Sequence, residues 1–180
     1  MDGGTKTIDI MAGIFSQATK KILEKSTGMK ITYSSTLQKI PKVRLCPDIG
    51  CFVQFSGDYA GLVVMNYNSS AAMTIYKNYM TTMGLPESEL ARESTSNEVV
   101  DTIGEITNQI MGRAMYLVES KYQLSSYFGQ PKALALNSAI TLSPDMDYQD
   151  NRRISFAVDT YKFYMEIALE QTEFISSLKK

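Results

Sequence analysis

Apolar residues recur at helical spacing over residues 5–25, where Ile8, Met11, Ile14, Phe15, Ala18 and Ile22 share one face and Gly28 is placed to end the helix. Residues 29–40 alternate loosely before Pro41, as a strand does. Residues 51–56 and 61–67 are β-branched and aromatic runs separated by Gly57-Asp58-Tyr59-Ala60, the signature of a hairpin. Ser69 or Ser70 is placed to cap a helix carrying Ala71, Ile75, Tyr79 and Met83, closed by Gly84 and Pro86.

The second half repeats this order. Residues 86–90 offer one turn of helix, and Ser94 or Ser96 is placed to cap a long helix over 97–119. Pro131 opens a strand reaching Ile140, ended by Pro144 and a polar loop over 145–151. Residues 153–159 and 161–171 alternate well and are expected to pair, while 174–180 offers a final turn of helix. The chain thus reads as one α+β domain, 1–180, in two pseudo-repeat halves of about 1–85 and 86–180, with helices packed on a mainly antiparallel sheet. An offset of 92 places Asp9 on Asp101 and Gln17 on Gln109, and also Gly13 on Glu105 and Ser16 on Asn108.

Composition then removes whole classes of function. Apolar residues make up 44% and charged residues 21%, and the net charge of −1 has both signs interspersed, so no basic surface for nucleic acid is expected. No apolar window is long enough for a membrane helix, and the first ten residues lack the apolar core of a secretory signal. Cys46 and Cys51 flank Pro47 and Gly50, and with no histidine in the chain they read as ordinary thiols, not half a zinc site. Without histidine, any catalysis must use carboxylates, amides, hydroxyls or amines.

Winding the long helix at about 100° per residue divides it into two faces. Val100, Ile103, Ile106, Ile110, Ala114 and Leu117 form the stripe expected to face the core. Asp101, Glu105, Asn108 and Gly112 lie opposite, at i, i+4, i+7 and i+11, in a single row. Glu105 and Asn108 are near neighbours that can address one small object. Gly112, like Gly104 beside Glu105, suggests that something approaches the backbone closely, since glycine inside a helix costs about 1 kcal/mol against alanine. Solvent alone selects Asp, Glu and Asn on an outer face, so the row gains meaning only with a further signal.

Pro131 supplies that signal. The string Asp101-x₃-Glu105-x₂-Asn108, followed after 22 intervening residues by Pro131, resembles the signature of the CheC/CheX/FliY phosphatases of bacterial chemotaxis. The resemblance implies a CheC-like fold over nearly the whole chain. Gly13 and Ser16 occupy the first-half positions, so the chain resembles the CheX-like members with a single site. It further implies a cytoplasmic phosphatase acting on the aspartyl phosphate of a CheY-like response regulator. Asn108 would position the attacking water and Glu105 would pair with the regulator's lysine, with Asp101, Gly112 and Pro131 supporting. The protein would have no cofactor or metal of its own, because Mg²⁺ would come with the regulator. A homodimer is expected by the same likeness, and residues 161–169 offer an edge strand for it. The alternative is a non-catalytic module binding a regulator or the flagellar switch; a metal-dependent hydrolase built on Asp101, Glu105 and Glu98 ranks third. The many methionines and tyrosines read as core filling, and Arg152-Arg153 as local partners of the acidic loop.

Overall fold

The structure, a computed structural model, describes residues 6–142, 150–170 and 173–175. Helix α1, Thr7–Thr27, ends at Gly28, whose φ of 69° is the left-handed conformation that glycine adopts freely; its N–H bonds Glu24 O at 3.0 Å. The strand expected over 29–40 is two short ones, β1 (Ile31–Tyr33) and β2 (Gln38–Lys39), interrupted where the Thr36 N–H donates to Ser34 Oγ. After β3 (Arg44–Leu45), the expected hairpin forms from β4 (Ile49–Gly57) and β5 (Gly61–Tyr67), with Val53 opposite Val63.

Helix α2, Ser69–Thr82, is capped by Asn68, not by Ser69 or Ser70. The Asn68 side-chain carbonyl accepts the Ala71 N–H at 2.8 Å, whereas Ser69 is already helical and gives its N–H to Asp48 Oδ2 at 2.6 Å. A single 3₁₀ turn at Glu87–Glu89 leads to α3, Asn97–Tyr122, capped by Ser96. That helix outlasts its expected end because Gln123, in the left-handed region, returns its N–H to Glu119 O.

The remaining strands are β6 (Ser126–Phe128), β7 (Lys132–Ala135), β8 (Ile140–Thr141), β9 (Asp150–Val158) and β10 (Tyr161–Leu169). The strand expected over 131–140 divides. Its first part, β7, joins β4, and its second, β8, leaves the sheet to pair with β3 as a separate ribbon. The main sheet runs β1-β9-β10-β5-β4-β6, with β2 also on β9 and β7 also on β4.

Strand β10 is not an edge. It is hydrogen-bonded to β9 on one side and β5 on the other along its length, so it cannot offer its backbone to a second chain. Its inner positions Phe163, Met165, Ile167 and Leu169 face the core, where buried residues of all three helices pack against the sheet. The outer face is partly covered too. Val43 and Leu45 pack on Leu62, Val64 and Ala168 in a second, smaller cluster.

Arg152 and Arg153 meet the expectation of local pairing only in part. Strand alternation sends them to opposite faces: Arg152 Nε donates to Asp9 Oδ1 at 2.7 Å, while Arg153 Nε donates to the buried carboxylate of Glu166 at 2.8 Å. Arg152 also lies 3.7 Å from Asp150 and donates to Asn151 O at 3.0 Å, and these two are the residues of the expected loop that the structure describes. Pro144, most of that loop and most of the expected final turn lie outside them. No helix among the described residues is long and apolar enough to cross a membrane.

Candidate functional site

Helix α3 fixes the site because its other side is committed to the core. Val99, Ile103, Ile106, Ile110, Met111, Ala114, Met115 and Val118 are buried. Val100 and Leu117, expected within the stripe, lie at its margins and are half-buried. The helix therefore cannot rotate, and Asp101, Glu105, Asn108 and Gly112 are all held exposed on its outer side.

Strand β7 and the residues before it supply the second wall. Between them and α3 lies an open groove of about 810 Å³, lined from the helix by Val100, Asp101, Gly104, Glu105 and Asn108, and from the other side by Gln130, Pro131, Lys132, Ala133 and Leu134. Pro131, distant in sequence from the helical row, thus lies beside it in space. Gly104 faces the second wall, but a Cβ there would meet the Ala133 methyl at 3.7 Å, an ordinary contact, so the approach of the walls does not require glycine. Gly112 is different. It stands outside the groove lining, and a Cβ there would meet nothing within 4 Å. The close approach suspected at Gly112 is not made by the described residues.

Glu105 is held from one side. Gln109 Nε2 donates to Glu105 Oε1 at 3.1 Å and lies 3.4 Å from the Tyr79 hydroxyl on α2. Sequence spacing could have found the Glu105–Gln109 pair, which is one helical turn, but not Tyr79 or the β7 wall, which depend on how the elements pack. Glu98 turns away from the row to accept the Tyr76 hydroxyl at 3.1 Å, and no group of three potential metal ligands occurs among the described residues.

The first-half positions are unlike their counterparts. Gly13 has no side chain to offer, and Ser16 is 1% exposed with its hydroxyl donated to Ala12 O at 2.7 Å. Asp9, matched to Asp101, is engaged by Arg152. The two cysteines are free thiols; burial pushes Cys51 up to about 11, and burial also raises Cys46, so neither is an activated nucleophile.

Comparison with known proteins agrees with this architecture. A family model described as "Protein of unknown function (DUF3334)" matches residues 4–179. No curated protein sequence matches. Among solved structures, a chemotaxis protein CheX from Desulfovibrio desulfuricans superposes with a TM-score of 0.74 at 18% identity, over 89% of this chain and 99% of that one. FliY from Thermotoga maritima gives 0.65 at 16% identity, covering 96% and 91%. CheX in the CheX–CheY–BeF₃–Mg²⁺ complex from Borrelia burgdorferi gives 0.65 at 12% identity, covering 89% and 97%. The chain belongs to the DUF3334 family of proteins of unknown function, and its α+β architecture is that of the CheC-like, CheX and FliY proteins.

Proposed function

We propose that the protein is a cytoplasmic phosphatase that removes the aspartyl phosphate of a CheY-like response regulator. The observation that carries the reading is the groove itself, where Asp101, Glu105 and Asn108 on α3 meet Pro131 across 22 intervening residues. Chance can place three polar residues on a helix, but it has no reason to bring the matching proline alongside them.

An acyl phosphate is reactive, and its hydrolysis mainly needs a water held in line with phosphorus. Asn108 suits that task because an amide both donates and accepts without adding charge. Glu105 would pair with the regulator's active-site lysine and fix the docked register. The regulator would bring the phosphoryl group and the Mg²⁺, so nothing in this chain needs to bind a metal. Asp101 would orient the row, Pro131 would fix the backbone entering β7, and Gly112 would let the partner approach the helix. The sheet order supports a pseudo-duplicated chain, since β5 and β10 pair at its centre, flanked by β4 and β9. A homodimer is not built through β10, whose two edges are taken.

A non-catalytic docking module is the second reading, favoured by the likeness to FliY. Binding to a CheY-like regulator carrying beryllofluoride and Mg²⁺ separates the two. The phosphatase reading expects binding that is lost when either is withheld; binding indifferent to both would favour docking alone.

A further inference from the structure

Gln109 lies outside the four-position signature, yet its side chain is hydrogen-bonded to Glu105. A primary amide nitrogen carries two N–H groups. Here the nitrogen lies 3.1 Å from Glu105 Oε1 and 3.4 Å from the Tyr79 hydroxyl, and it donates to both. Gln109 is half-buried between α2 and α3, while Glu105 is exposed with several rotatable bonds. A free glutamate would lose that rotamer freedom on docking, at a cost to affinity. A side chain already tethered loses less.

We infer that Gln109, braced by Tyr79, is a positioning residue that presents the Glu105 carboxylate to the partner. It acts through Glu105 and does not touch the reacting atoms. The tether links two helices, so the orientation of Glu105 is set by how α2 packs on α3 and not by α3 alone. The kinetic consequence rests on the phosphatase reading, whereas the tether itself does not.

The test is Gln109→Met, which keeps side-chain length and helix propensity but removes both N–H groups. In the free protein, three-bond scalar couplings along the Glu105 side chain should report one dominant rotamer in the wild type and averaging in the variant. With phosphorylated regulator as substrate, KM should rise about threefold, the scale of an exposed pair one helical turn apart plus its second anchor, while kcat stays within about twofold. Tyr79→Phe should give a smaller shift in the same direction. In a Glu105→Ala background, Gln109→Met should change KM no further, which a general loosening of the α2–α3 contact would not reproduce. Identical couplings in wild type and variant would overturn the inference, as would a KM increase undiminished by Glu105→Ala. If the wild type fails to accelerate dephosphorylation, the phosphatase reading falls while the couplings still decide the tether.

Discussion

Glu105 and Asn108 stand on the same exposed face but would lose different things on truncation. Glu105→Ala removes the charge proposed to fix the docked register, so affinity and turnover should both fall; an unchanged Kd and rate for the regulator would remove Glu105 from the site. Buried groups answer to another variable. With the Cys51 thiol pushed up to about 11 by burial, the unfolded chain releases this proton first as pH rises. Stability should be level below about pH 9 and fall as pH climbs toward 11, with Tyr59 and Tyr67, raised by burial as well, adding to the loss. Urea midpoints between pH 8 and 10.5 measure this, and a flat profile would contradict it. At this scale the sequence was informative where period alone decides exposure, as for Asp101, Glu105 and Asn108. It was silent on Gln109, whose second partner comes from another helix, and incomplete on Arg152 and Arg153: Arg152 keeps its local contact with Asp150 but also reaches Asp9 on α1, and Arg153 pairs with Glu166 directly opposite it on β10.

Helices were legible because caps and stop signals are local chemistry. Even so, Asn68 took the cap assigned to Ser69 or Ser70, since any of several small polar residues can do that work and only backbone geometry selects among them. The Asn68 cap bond is 2.8 Å and the Ser96 one 3.4 Å. Asn68→Ala should therefore cost about 1 kcal/mol and more than Ser96→Ala, as read from urea unfolding. Gly112 makes the opposite prediction. With open space around its Cβ position, Gly112→Ala should raise stability by roughly 0.5–1 kcal/mol. Under the docking role proposed for this ridge it should also weaken regulator binding. A destabilised variant would mean that this chain itself needs the glycine. Strands were read less well. A run such as 131–140 carries no local mark of the point where it leaves one sheet for another, and the short β6 has too few residues to show a period.

Across the whole molecule, sequence order gave helix-and-strand composition but not which strands are neighbours. Strand β10 looked like an edge because its polar positions alternate, yet Glu166 on its outer side is buried against Arg153 and the Arg44 N–H, a satisfaction that pattern cannot reveal. The α3 groove has the same origin: β7 reaches Gly104 and Glu105 only because β4 carries it there. Local signals specify what each element is, and packing specifies what it meets. The central claim concerns that meeting, and the decay of a phosphorylated CheY-like regulator, followed in a single turnover with saturating protein, tests it most directly. Wild type should shorten the lifetime of the phosphate, and Asn108→Ala should lose on the order of 10²–10³ of that acceleration while still binding the regulator. A lifetime unchanged by the wild type, or shortened equally by Asn108→Ala, would contradict it.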